Sequence, residues 1–145
     1  MNISHLPSRL KKDALSFYKS QRYSASFMGY DTCYAAHIDE QMIGCVILSD
    51  IGKIKDKKAQ NPLFLHALVV DKNFRNKGVA SNLLSHVNSL HKSTICFASI
   101  ELKQLYFSNE FTMIQPDELT EPFKSRYMNY KNKQPDLFIF HRETD

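Results

Sequence analysis

From Leu63 to Leu84 the chain reads LFLHALVVDKNFRNKGVASNLL. Eight residues of aliphatic and β-branched strand run into the polar, cationic stretch Asp71–Gly78, and an apolar-striped helix follows at once. No other segment limits the fold as strongly, because a strand feeding directly into a helix belongs to layered α/β architecture. The helix opens without a proline or a carboxylate cap, and one of only four glycines in the chain stands just before it, at Gly78. A helix N-terminus presents unsatisfied backbone N–H groups and roughly half a positive charge. Gly78 leaves that backbone approachable, and Lys72, Arg75 and Lys77 add charge on the same rim. Two local readings stay open, a phosphate-binding turn and a plain strand–helix turn with a glycine cap.

The remaining elements follow from periodicity. Leu6–Gln21 reads as an amphipathic helix with Leu6, Leu10, Ala14, Phe17 and Tyr18 on one face, Ser4 as N-cap and Pro7 in the first turn. Thr32–Ile38 and Met42–Ser49 read as a hairpin turning at Asp39-Glu40-Gln41. Asp50–Pro62 is a charged loop whose Lys53–Lys58 run fits a solvated surface. After the strand Leu63–Val70 and the helix Gly78–His91 come a strand at Ile95–Ile100, a helix at Leu102–Asn109 and a strand at FTMIQ. A helix at Pro116–Asn129 and a last strand at DLFIFHRE complete the chain. The order is α-β-β-β-α-β-α-β-α-β.

A chain of 145 residues without repeats or linkers is expected to form one domain. It has no run approaching the roughly 18 apolar residues of a membrane span. Its N-terminus lacks the apolar stretch and cleavage site of a secretory signal, so a cytoplasmic location is expected. Cys33, Cys45 and Cys96 lie inside expected strands without paired spacing, which argues for buried thiols over a disulfide framework or a zinc site. His5, His37, His86, His91 and His141 show no metal spacing, so no metal is expected. A formal charge of +4 suits a small polyanionic ligand and is too mild to argue for a nucleic-acid binder.

Three features together resemble the GNAT superfamily of acyl-CoA N-acyltransferases. Arg75-Asn76-Lys77-Gly78-Val79-Ala80 is similar to the Arg/Gln-x-x-Gly-x-Gly/Ala signature, at the end of a strand. LYFSNEF is similar to the lYeklGF segment and sets Tyr106 five residues before Phe111. The element order over about residues 34–114 is the third. Departures are Glu110 in place of the glycine before Phe111, Ser99 in place of a common asparagine, and an apparent lack of the first strand.

The resemblance implies a single N-acetyltransferase domain over residues 1–145, with helices on both faces of a mixed sheet splayed between Leu63–Val70 and Ile95–Ile100. It implies acetyl-CoA as co-substrate. Backbone groups of Leu68, Val69 and Val70 would hold the pantetheine arm. The Arg75, Asn76, Lys77, Gly78, Val79 and Ala80 backbone, with Ser81, would hold the pyrophosphate. Tyr106 corresponds to the tyrosine that serves the departing thiolate, and the Val70 N–H would polarise the carbonyl. LHALVV is similar to a strand of arylalkylamine N-acetyltransferases, which makes His66 a candidate base; Glu101 and water are alternatives. The expected reaction is direct acetyl transfer to a primary amine of a small molecule or peptide. Expected partners are that acceptor and a second copy of the chain in a homodimer, with no membrane. Tyr23, Phe27, Tyr30, Phe123 and Tyr127 are candidates either for an acceptor wall or for the core. A catalytically silent acyl-CoA-binding regulatory module is the alternative, and an enzyme acting on charged tRNA rests only on Lys53–Lys58.

Overall fold

The computed structural model describes residues 1–27, 31–52 and 62–144. The Lys53–Lys58 run and Tyr30 lie outside them. Seven strands form a mixed sheet in the order β1-β2-β3-β4-β5-β7-β6. They are β1 (Asn2–His5), β2 (Thr32–Ile38), β3 (Gln41–Ser49), β4 (Leu63–Val70), β5 (Ser93–Ser99), β6 (Thr112–Ile114) and β7 (Leu137–Glu143). The helices are α1 (Lys11–Ser20), α2 (Val79–Leu90), α3 (Lys103–Phe107) and α4 (Phe123–Lys133). Two compact units divide the chain: Met1–Ser49 with Leu65–Leu90, and Asp50–Phe64 with His91–Asp145. Among the described residues no helix is long and apolar enough to cross a membrane.

In the first unit β1, β2 and β3 pair antiparallel. Side chains alternate across a strand, so Cys33, Ala35, Cys45, Ile47 and Ala67 share one face, where Ala14, Phe17 and Tyr18 of α1 cover them. The Cys33 and Cys45 sulfurs are 3.1 Å apart there, both buried and free. The other face carries α2, whose His86 ring meets Tyr34 edge-on at 5.2 Å. Gly44 is why α2 can settle so close, since a β-carbon on it would stand 2.9 Å from Val79 Cγ1 and 3.1 Å from Leu83 Cδ1.

In the second unit β4 begins parallel to β5, at Leu63–Thr94 and Phe64–Ile95, and β5, β7 and β6 continue antiparallel. Phe64, Ile95, Leu137 and Ile139 pack with Leu119, Phe123 and Tyr127, so Phe123 and Tyr127 are core residues. The Tyr127 hydroxyl donates to the Leu137 carbonyl at 2.8 Å. On the opposite face Tyr106 of α3 stacks on Phe140.

The first strand is present, which corrects the expectation that it is missing: Asn2–His5 pairs with Tyr34–His37. Ser4 therefore lies in a strand and caps no helix. Pro7 precedes a short 3-10 turn, Ser8–Leu10, before α1. The helix expected at Pro116–Asn129 is a 3-10 turn at Pro116–Glu118 and, beyond Pro122, α4.

Overpacking at the β3–α2 contact gives a stability test. Gly44→Ala removes about 0.4–1 kcal/mol of unfolded-state freedom but forces Val79, a stiff β-branched side chain, off its seat at about 1–3 kcal/mol. The expected net result is a lower melting temperature for Gly44→Ala, partly recovered in Gly44→Ala/Val79→Ala, as read by thermal unfolding.

Candidate active site

The turn from β4 into α2 is fixed by its own backbone. The Asp71 N–H donates to the Ile43 carbonyl at 2.8 Å, which ties the end of β4 to β3. The Asp71 carboxylate accepts from the Asn73 N–H at 2.8 Å, and its carbonyl accepts from Phe74 N–H, also at 2.8 Å. These bonds wind Lys72–Phe74 into one 3-10 turn. Arg75 Nε donates to the Val70 carbonyl at 3.3 Å, and the Lys72 N–H donates to Gln21 Oε1 at 3.0 Å.

Asn76 at φ +63° and Gly78 at φ +81° both take the left-handed conformation, which asparagine and glycine tolerate best. Helix α2 then starts, with the Asn82 N–H donating to the Gly78 carbonyl at 3.0 Å. Its opening N–H groups have no acceptor inside the helix. A β-carbon on Gly78 would meet nothing nearer than Asn82 Nδ2 at 4.0 Å, so open space fronts this backbone. Lys72, Arg75 and Lys77 are exposed around it. Such a turn can accept a phosphate without rearrangement.

His66 sits one residue before a backbone irregularity in β4, where Ala67 has φ +55°. His66 Nε2 and Ser49 Oγ share a hydrogen bond of 2.7 Å, and Ser49 is buried. A half-buried imidazole held by a hydroxyl can take up or hand on a proton. Sequence reasoning missed Ser49, because its contact with His66 comes only from the pairing of strands seventeen residues apart.

Tyr106 is a packed residue of the second unit. Its ring stacks on Phe140 at 4.8 Å and meets Phe111 edge-on at 5.3 Å. Burial pushes the Cys96 thiol up, opposed by its hydrogen bond with Tyr106. The turn after α3 forms although Glu110 replaces glycine. Phe111 N–H donates to the Tyr106 carbonyl at 3.1 Å and Glu110 N–H to that of Phe107 at 3.4 Å, with Glu110 left-handed at φ +71°. Glu101 is exposed at the end of β5, its N–H on Ser99 Oγ at 3.3 Å. Ser99 in turn donates to Asp136 at 2.8 Å.

Of the aromatic candidates described, Tyr23 lines a surface groove of about 380 Å³ with Leu15, Tyr18, Lys19, Arg22, Ser24 and Ala25. Phe27 packs against the core under α1.

Residues 29–113, more than half of the chain, match the family model described as "Acetyltransferase (GNAT) domain". No curated protein matches in sequence. Among solved structures, N-acetylglutamate synthase from Neisseria gonorrhoeae, complexed with coenzyme A and N-acetyl-glutamate, superposes with TM-score 0.65 at 13% identity. The match covers 100% of this chain, which spans only 36% of that protein. A GNAT-family acetyltransferase from Staphylococcus aureus Mu50 gives TM-score 0.66 at 17% identity over 99% of both chains. Another, from Elizabethkingia anophelis with acetyl-CoA bound, gives 0.61 at 15% identity over 99% of this chain and 97% of that one.

Packing and hydroxyl at Tyr106 separate by substitution. Tyr106→Ala empties the space between Phe140 and Phe111 and is expected to cost about 3–5 kcal/mol of stability. Tyr106→Phe keeps the ring and loses one hydrogen bond, about 0.5–1.5 kcal/mol. Urea unfolding of both variants measures the difference.

Proposed function

Because the chain belongs to the GNAT acetyltransferase family, we propose that it moves an acetyl group from acetyl-CoA directly to a primary amine of a small molecule or peptide. The observation that carries this reading is the cationic turn ending at Gly78, with open space before its backbone. The Elizabethkingia neighbour, solved with acetyl-CoA, supports the same co-substrate. The whole chain, residues 1–145, acts in this reading as one acetyltransferase domain.

In the reaction the amine nitrogen attacks the thioester carbonyl carbon, the C–S bond breaks, and the nitrogen gives up a proton while the thiolate gains one. Backbone N–H groups from Arg75 to Ala80, with Ser81, hold the pyrophosphate at the start of α2. The backbone of Leu68–Val70 holds the pantetheine arm as an added strand would. The Val70 carbonyl already accepts from Arg75, which leaves its N–H as the group to polarise the thioester. His66, held by Ser49, takes the amine proton, and the Tyr106 phenol serves the thiolate. A silent acyl-CoA-binding module is favoured by a turn broken at Glu110 or by the lack of a base. Glu110 keeps the turn, and the Ser49–His66 pair offers a base.

Gly78→Glu places bulk and negative charge where the pyrophosphate is to lie. Acetyl-CoA affinity is expected to fall by about tenfold or more, roughly 1.4 kcal/mol, in a variant that remains folded. Calorimetric titration reads this directly, and unchanged affinity refutes the assignment.

For His66 the pH–rate profile decides. A base must be neutral to accept a proton, so kcat/KM falls on the acid side as the imidazole charges. His66→Gln keeps hydrogen bonding to Ser49 but cannot take the proton. The acid limb is expected to flatten and the rate to drop about 10- to 100-fold, the low end of general-base effects because water substitutes in part. An acid limb unchanged in the variant assigns the titrating group elsewhere.

A further inference from the structure

Ala67 is the one residue of β4 with a positive φ, at +55°. Nothing in its own side chain favours this. Alanine has a β-carbon that the left-handed region disfavours and no polar group to compensate, unlike asparagine. It is also buried, at 5% exposure. A conformation of this kind persists only where the surroundings over-determine it.

The compensating contact comes from outside the sheet. The Tyr18 hydroxyl donates to the Ala67 carbonyl at 2.7 Å, across 49 residues of sequence. Tyr18 is 1% exposed and its ring is gripped by Phe17 at 5.7 Å and Tyr23 at 5.6 Å. Burial, and then the neighbouring Cys45, raise the Tyr18 phenol well above its ordinary value, so it stays a neutral donor. The carbonyl it holds divides β4 into two parts with different work. Before it stands His66, bonded to Ser49; after it runs Leu68–Val70. A left-handed residue inside a strand interrupts the ladder and turns the following peptide groups out of register. One backbone angle thus sets how the Leu68–Val70 amides are aimed relative to the imidazole.

We infer that Tyr18 is a positioning residue: its hydroxyl locks Ala67 in the left-handed conformation and so aligns the Leu68–Val70 backbone with His66 for acetyl transfer. The inference rests on the proposed acetyl transfer for its consequence, though the clamp itself can be tested without turnover.

Tyr18→Phe keeps the ring and removes the hydroxyl, with its hydrogen bonds to the Ala67 carbonyl and to Cys45. It is expected to lower kcat by about 10- to 100-fold, the scale of an ångström-sized misplacement. Calorimetric acetyl-CoA affinity is expected to fall less than kcat does, by under about tenfold, because the pyrophosphate turn does not depend on the clamp while the pantetheine contacts of Leu68–Val70 do. The decisive variant is Tyr18→Phe/Ala67→Gly. Glycine reaches positive φ without the β-carbon penalty but does not lock it, so kcat is expected to recover in part, by about threefold or more over Tyr18→Phe, although a second core substitution has been added. A Tyr18→Phe variant with full kcat overturns the inference. So does a loss that Ala67→Gly does not relieve, which is the result for a hydroxyl that only stabilises the core. Amide hydrogen exchange at Leu68–Val70 provides the arm free of substrate. Faster exchange in Tyr18→Phe than in the parent, under conditions where both are folded, supports the clamp even in a protein that acetylates nothing. Unchanged exchange overturns it whatever the enzyme does.

Discussion

The contact of Val79 and Leu83 with the bare backbone of Gly44 decides where α2 can stand. The two side-chain carbons lie 2.9 and 3.1 Å from where a β-carbon would be, closer than any other residue at that position would permit. Val79 is the first residue of α2, so seating it also seats the helix N-terminus and the Gly78 backbone before it. The hydrogen bond from Asp71 to Ile43 ties the other end of the same turn to β3, one residue from Gly44. The turn is therefore pinned at both ends to one short piece of strand. Within the turn the Asp71 and Arg75 side chains brace the backbone, while Lys72 and Lys77 are exposed around it.

Much of this was legible in the sequence because the signals were local. The strand Leu63–Val70 has the bounds expected of it, and the helix after Gly78 differs from expectation by one residue at each end. Of its apolar stripe, Val79, Leu83, Leu84 and Val87 are buried, while Leu90 at the end of the helix is exposed. The strand Asn2–His5 was not legible, since NISH is a short, mostly exposed edge segment without apolar alternation. Strand pairing with β2, a long-range interaction, is what makes it a strand. Likewise Pro7 and Pro122 mark places where a helical pattern continues in the side chains while the backbone changes course. Pattern reports which face is buried and says less about where a helix begins.

The site divides in the same way. The turn at Gly78 was readable as a candidate anion site because glycine and three cations announce it. Ser49 beside His66, and Tyr18 beside Ala67, were not, because each is a meeting of segments distant in sequence, 17 and 49 residues apart. Serine at a strand end and tyrosine on a helix's apolar face are ordinary residues in ordinary places. Only the pairing of strands and the docking of α1 give them partners.

The left-handed residues show how this chain distributes backbone strain. Asn76 and Gly78 are residue types that accept positive φ, and they sit where the backbone must curl toward open space. Ala67 and Glu110, like Arg22 at φ +57°, are not, and Ala67 and Glu110 each coincide with an outside contact. Ala67 has the Tyr18 hydroxyl on its carbonyl. Glu110 has its carboxylate 3.5 Å from the Nε of Arg142, a buried guanidinium that also donates to the His91 carbonyl at 2.8 Å. A glycine at either position would hold the conformation cheaply and hold others as readily. A side-chain-bearing residue under a tertiary contact holds it because the rest of the unit is folded. The arrangement makes the geometry of β4 conditional on correct packing of α1. At Glu110 the turn is closed by its own backbone hydrogen bonds, and the exposed carboxylate's approach to Arg142 adds at most about 1 kcal/mol.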